Sequence, residues 1–258
     1  MSATQAHEVL EIRKVSKTFA AADGKSIAAL EDVSFAARPA EIVSLVGPSG
    51  CGKSTLLRMV AGFDFPSSGQ LLLGAAGISG PAQERGIVFQ QPQLYPWLTV
   101  FDNVAFGPRM RGTRKDAYTP AADDYIRAVG LAGFEKHYPY QLSGGMKQRV
   151  QIARVLINEP RVLLMDEPFG ALDYQNRLVM QRLLLDLAAQ YRPTVLFITH
   201  DVEEAIFLSD TVHVMSARPG RIVETLQIGL ARPRVYEEVS GSGDFVRAKL
   251  HILKLLQH

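Results

Sequence analysis

Cysteine is nearly absent. The 258 residues contain one, Cys51, so no disulfide can form within the chain, and a reducing compartment suits it. Long apolar runs are missing as well. Stretches such as VLLM and TVLFI fall far short of the roughly 20 residues that cross a bilayer. The opening MSATQAHEVLEIRK lacks the apolar centre of a signal peptide. Neither charge dominates: 28 Lys and Arg stand against 26 Asp and Glu, too even a balance to draw nucleic acid or an anionic membrane surface. Repeats, sustained heptads and low-complexity tracts do not occur. What remains is an ordinary globular composition, 47% hydrophobic, in a length that suits one large α/β domain or two modest ones. The chain reads as soluble and cytosolic.

Short β-rich runs alternate with segments of helical spacing. VLEIRKV, EIVSLV, GQLLL, GIVF, RVLLM, TVLFI and TVHVM read as strands, and Lys53 to Ala61 and Asp173 to Tyr191 as helices. Glu41 to Val46, Val162 to Met165 and Thr194 to Ile198 are almost continuously apolar, as central parallel strands covered on both faces should be, and are expected side by side. Between Thr99 and Ile157 strand signals nearly vanish and helical stretches follow one another, which predicts an inserted helical unit. After His200 two β-like runs, Thr211 to Met215 and Arg221 to Ile228, are joined by the turn ARPG. The segment FVRAKLHILKLL closes the chain as an amphipathic helix, with Phe245, Leu250, Leu253 and Leu256 on its predicted core face. The division this predicts is a core of 1–90 and 156–239, a helical insertion of 91–155 and a C-terminal helix of 240–258.

GPSGCGKST, residues 47–55, fits GxxxxGK[ST] between a strand and a helix. Such a loop turns its main-chain N–H groups onto phosphate oxygens and adds the positive end of a helix dipole. Gly47, Pro48, Ser49, Gly50, Cys51, Gly52, Lys53, Ser54 and Thr55 are therefore candidate nucleotide contacts. Lys53 would reach the β and γ phosphates, and Ser54 would ligate Mg2+. RVLLMDEP supplies a second acidic element just past a buried strand. Alone, an Asp-Glu pair is a weak signal. Downstream of a phosphate loop, Asp166 is placed to hold a magnesium-bound water and Glu167 to polarise the attacking water. Nothing suggests that the Cys51 thiol does chemistry.

LSGGMKQRV, from Leu142 to Val150, is a second serine-and-glycine turn opening a helix, and one chain rarely needs two such turns for one nucleotide. Taken with Gln90 in GIVFQQ, Asp173 in FGALD and His200 in FITHD, it closely resembles the signature of the ATP-binding cassette ATPases, the motor subunits of ABC transporters. The likeness covers roughly residues 9–228. It implies a P-loop NTPase (RecA-like) α/β core with an antiparallel β subdomain and an inserted α-helical signature subdomain, forming one ATPase domain.

It also implies that two copies sandwich two ATP molecules head to tail, so that Ser143, Gly144 and Gly145 contact the nucleotide held by the partner's Lys53. Gln90 would help ligate Mg2+ and the attacking water, Asp173 would lie at the dimer seam and His200 would contact the γ phosphate. Phe19, in SKTF, would stack on adenine, although tyrosine or tryptophan is usual there. Met146 departs from the commonest glutamine after LSGG. His137 and His213 gain no role.

With no membrane span, translocation would fall to separate permease subunits, which suits a bacterial importer with a peripheral ATPase on the cytoplasmic face of the inner membrane. A substrate-binding protein is implied indirectly. In QLYPWLTVFDNVAFG the stretch Tyr95 to Phe101 is the expected docking surface, unless Trp97 is simply buried. LYPWLTVFDNVAFG, LSGGMKQRV and VMSARPGRIVETL together resemble the nitrate, sulfonate, taurine and bicarbonate importer group. The roughly thirty C-terminal residues are too few for the extra β domain of sugar importers. An importer of another small solute is one alternative. ABC ATPases of DNA repair or translation are another, but they carry paired cassettes or long coiled coils that this chain does not show.

Overall fold

The computed structural model describes residues 9–20 and 26–257. Among the described residues ten strands form two sheets. In the first, β1 (Leu10–Ala20) pairs antiparallel with β2 (Ser26–Ala37) and β4 (Ser68–Leu73), and β5 (Ala76–Gly77) adds an edge. The second runs β10-β9-β3-β8-β7-β6. In it β3 (Ile42–Val46), β6 (Arg85–Val88), β7 (Val162–Asp166), β8 (Thr194–Thr199) and β9 (Thr211–Met215) are parallel, and β10 (Ile222–Gln227) is an antiparallel edge. The three apolar runs are adjacent, with β8 between β3 and β7.

Period-2 alternation sorts these strands into two cores. Ile42, Val46, Leu163, Met165, Val195 and Phe197 face the helices α5 (Gly144–Leu156), α6 (Tyr174–Tyr191) and α7 (Val202–Leu208). Val43, Leu45, Val162, Leu164, Leu196 and Ile198 face α1 (Lys53–Val60) and the apolar side of the antiparallel sheet, including Leu10, Ile12 and Val33. Between β6 and β7 lie α2 (Val100–Val104), α3 (Phe106–Met110), α4 (Lys115–Ala128) and α5, with no strand among them. After β10 come α8 (Tyr236–Val239) and α9 (Gly243–Leu255).

Two elements differ from expectation. The strand β2 was not foreseen: SIAALEDVSFAA is rich in residues that strands avoid, and positive φ at Lys14 and Asp32, with register shifts along β1 and β2, breaks the alternation that would announce it. On α9 the core face is corrected. Phe245 and Ile252 are buried and Leu256 is half-buried, whereas Leu250 and Leu253 are exposed. The helix carries two apolar stripes, and packing against α7 selects the one that includes Ala248 and Ile252.

His213 on β9 is 3% exposed. Its ring centre lies 4.3 Å from that of Phe35, tilted by 35°, and it shares a 2.8 Å hydrogen bond with Thr225 Oγ1, while among the described residues its Nε2 has no partner. Burial lowers its pKa from 6.5 to about 4. Because the unfolded chain takes up the proton first as pH falls, stability from this site is complete above about 6.5 and is lost progressively towards about 4, on the order of 3 kcal/mol in all. Chemical denaturation between pH 7 and 4 should therefore show a shallower loss for His213→Asn than for the parent. Equal slopes would exclude this role.

Candidate active site

The phosphate loop leaves β3 and returns as α1. Gly52 takes the left-handed conformation, with φ of 101°, as N-cap of α1 and has no capping side chain. A Cβ there would meet Leu30 Cδ2 at 2.6 Å, so both shape and space demand glycine. The ARPG turn lies against this loop: a Cβ on Gly220 would fall 2.0 Å from the Cys51 carbonyl oxygen. Cys51 is buried in the core, and Pro48, Ser49, Gly50 and Ser54 are exposed. The Lys53 ammonium donates to the carbonyls of Gly47 (2.7 Å) and Pro48 (2.9 Å), which hold it under its own loop.

Asp166 ends β7, and its Oδ1 accepts a 3.0 Å hydrogen bond from Ser54 Oγ. Glu167 has φ of 43°, which costs roughly 1–2 kcal/mol for a side-chain-bearing residue. Its N–H donates to the Ile198 carbonyl on β8. This turn separates the two carboxylates: Asp166 faces the phosphate loop, whereas Glu167 Oε2 lies 3.2 Å from His200 Nδ1. His200 follows β8 and precedes α7, whose N-cap Asp201 accepts the N–H groups of Glu203 and Glu204. Gln90 completes the edge. A Cβ on Gly170 would sit 3.4 Å from Gln90 Nε2 and 3.7 Å from Glu167 Oε2, so both side chains border one point.

Burial pushes the Asp166 carboxyl above its usual range. Its hydrogen bond from Ser54 opposes the rise, the charge of Glu167 adds to it, and Lys53 and Arg58 oppose it. A divalent cation alongside would reverse that direction. The donor set fits Mg2+: a hydroxyl and a carboxylate already meet, with the Gln90 amide carbonyl available as a further hard oxygen. Among the described residues no group of three or more His, Cys, Asp or Glu could hold a metal alone. The site therefore suits a cation that completes its shell with phosphate and water.

The second glycine turn opens α5. Ser143 is its N-cap, accepting the Met146 N–H at 3.3 Å, and Gly144 has nothing within 4 Å of an added Cβ. Asp173 similarly caps α6 through the N–H of Asn176, 3.0 Å away, which lowers its pKa, and it is exposed. Phe19 lies in β1, 39% exposed, with the Lys17 ammonium 5.0 Å from its ring centre.

A family model described as ABC transporter matches residues 30–170. The chain belongs to the ABC transporter family. The taurine import ATP-binding protein TauB of Jannaschia sp. is 44% identical over 250 residues, 96% of this chain and 93% of that protein. The nitrate import ATP-binding protein NrtD of Synechocystis sp. is 47% identical over 221 residues, 86% of this chain and 83% of the other. Among solved structures, the dimeric post-hydrolysis state of the ATP-binding cassette MJ0796 bound to ADP and Pi is similar with a TM-score of 0.73 at 29% identity, covering 86% of this chain and all of that one. This ABC ATPase thus has the P-loop NTPase fold, and its activity is ATP hydrolysis.

Several residues that hold the ABC site together escaped the sequence reading. Buried Gln151 donates to the Phe89 carbonyl (2.9 Å) and accepts the Gln93 N–H (2.7 Å), and Gln148 adds a 3.4 Å bond to the same carbonyl. The helix that begins at Ser143 therefore holds the loop that carries Gln90. Arg177 spans the Leu172 carbonyl and Asp201, tying the loop before Asp173 to the one after His200. Asn103 fixes the turn of Tyr95 to Thr99 through four hydrogen bonds. Only the spacing of two glutamines three apart on α5 hinted at any of this.

No described helix is long and apolar enough to cross a membrane. Trp97, which could have been core, is 70% exposed. It packs 5.6 Å from Tyr95, whose ring lies 4.5 Å from Phe106, at the rim of a groove of about 600 Å³.

Proposed function

We propose that this ABC ATPase powers import of a small anion, such as nitrate, taurine or an aliphatic sulfonate, as a head-to-tail pair bound at the cytoplasmic face of the inner membrane to separate permease subunits. The observation that carries the hydrolytic part is the convergence at the ends of β7 and β8. Ser54 meets Asp166, Glu167 meets His200, and Gln90 borders the same point.

Lys53 and the N–H groups of residues 47–55 bind the phosphates, and Phe19 stacks on adenine. Ser54, Gln90 and, through water, Asp166 hold Mg2+, which when bound neutralises charge on the phosphoryl oxygens. Glu167 takes the proton of the attacking water. His200, whose Nδ1 lies 3.2 Å from Glu167 Oε2, orients that carboxylate and reaches the γ phosphate. The partner's Ser143, Gly144 and Gly145 close over the nucleotide, and Asp173 lies at the seam between copies.

The proposed cargo rests on the taurine and nitrate import names of the relatives, because the transported anion does not pass through this subunit. A growth test of a strain lacking this subunit, on nitrate, taurine or alkanesulfonates as sole nitrogen or sulfur source, distinguishes these anions. Unimpaired growth on all of them would refute the assignment.

Docking is assigned to the Tyr95–Phe101 region. Trp97→Asp should abolish co-purification with co-expressed membrane subunits while ATP binding by the isolated subunit is unchanged. Intact assembly would refute the docking assignment.

A further inference from the structure

A small cavity of about 20 Å³ lies against the turn that carries His200. Glu167, Arg177, Thr199, His200, Asp201 and Glu204 line it, so it borders both members of the Glu167–His200 pair. The volume holds one water, which settles where two to four polar partners converge.

The partners are present. Arg177 gives Nη1 to Asp201 Oδ2 (3.3 Å) and Nη2 to the Leu172 carbonyl (3.4 Å), but among the described residues its buried Nε has no acceptor. Glu204, on α7, is 5% exposed and takes a 3.0 Å hydrogen bond from Gln181 Nε2 on α6. Asp201 and Thr199 are already committed: Asp201 Oδ1 accepts the N–H groups of Glu203 and Glu204, and Thr199 Oγ1 accepts the Asp201 N–H. The cavity thus joins an unused donor, a buried carboxyl and the Glu167 carboxylate.

A buried acid is costly to keep for packing alone, since an apolar side chain of similar volume would fill the same place. Burial pushes the Glu204 carboxyl above its usual range; hydrogen bonds from Thr199 and Gln181 oppose the rise, the charge of Asp201 adds to it and Arg177 opposes it. A water can meet that carboxyl in either form, because it both donates and accepts.

We propose that Glu204 is a positioning residue for hydrolysis, acting through one water in this cavity that accepts from Arg177 Nε and bonds to the carboxyls of Glu204 and Glu167. The inference rests on the reading of Glu167 as base and adds what holds it. His200 flanks that carboxylate on one side, 3.2 Å away, and the anchored water fixes it from the cavity.

The test measures steady-state ATP hydrolysis by the full chain. Glu204→Leu should lower kcat by about ten- to a hundredfold, the scale of a misplaced catalytic group, and leave KM for ATP within about twofold of the parent. Glu204→Gln should recover most of that loss, because its carbonyl can still accept from the water and its amide finds Gln181 Oε1, which is buried without a partner among the described residues. Arg177→Lys keeps a cation beside Asp201 and removes Nε. It should lose kcat to a similar extent, and the double variant should lose no more than either alone. On a Glu167→Gln background Glu204→Leu should change the residual rate by less than about twofold, whereas a general loosening of the fold would lower it again. A high-resolution crystal structure should show one ordered water within hydrogen-bond reach of Arg177 Nε, Glu204 and Glu167.

Parental kcat in Glu204→Leu and Arg177→Lys would overturn the proposal, as would additive losses or a dry cavity. If Glu167→Gln stops turnover and these variants do not, the base stands and the positioning role falls. If Glu167→Gln hydrolyses like the parent, the reading of the base itself fails.

Discussion

Glu167→Gln should bind ATP as tightly as the parent and hydrolyse it at least about a hundredfold more slowly, the lower end of what a positioned general base contributes. The substitution keeps size and shape but removes the proton acceptor. An amide of the same shape fits beside His200, whose Nδ1 lies 3.2 Å from the present carboxylate, so the strained turn at φ of 43° has no reason to relax. Phosphate contacts are untouched, because Lys53 and the loop N–H groups belong to α1 and the segment before it. Binding and chemistry should therefore separate: unchanged affinity, collapsed turnover, and an ATP-bound pair of chains that accumulates because its exit by hydrolysis is closed. Steady-state phosphate release and size-exclusion chromatography with ATP and Mg2+ check both halves. Hydrolysis near the parental rate would sink the assignment of Glu167 as base and leave His200 as the next candidate.

Ser143→Arg should leave nucleotide binding to a single chain intact and prevent ATP from joining two chains. Within its own chain Ser143 does one thing, which is to accept the Met146 N–H as N-cap of α5. Losing that cap costs about 1 kcal/mol, against the roughly 5–15 kcal/mol by which a domain is stable, so the monomer stays folded. The open space around Gly144 leaves the first turn of α5 free to meet another surface, and an arginine beside it would fill the approach. Equilibrium ATP binding together with light scattering on a Glu167→Gln background decides the matter. Loss of binding by the single chain would mean that Ser143 serves its own nucleotide.

How much of this was legible in the sequence varied with the physics of each feature. The runs EIVSLV, VLLM and TVLFI announced themselves because strands buried on both faces need nothing but apolar side chains. The glycine-rich loop between β3 and α1 was legible because its pattern is local: glycine, lysine and hydroxyl stand within nine residues between a strand and a helix. Asp166 and Glu167 were expected in different roles, and the structure turns their carboxylates apart through the positive φ of Glu167.

By contrast, β2 was hidden by alanines, acids and bulges, and the buried face of α9 could not be chosen from two apolar stripes until α7 was seen to pack on it. Gln148, Gln151, Asn103 and Arg177 look like surface residues until their acceptors are known. Those acceptors are backbone atoms or acids 4 to 62 positions away, and polarity alone does not reveal them.

The central claim is that each site is shared, its phosphate loop from one copy and its Ser143 turn from the other. The most direct test mixes two distinguishable Glu167→Gln chains, one of which also carries Lys53→Ala and so cannot hold the phosphates, with an ATP analogue that bears a photoreactive group on the γ phosphate. After illumination the label should be found on residues 143–149 of the Lys53→Ala chain. Label confined to the chain with Lys53 intact would contradict the shared site.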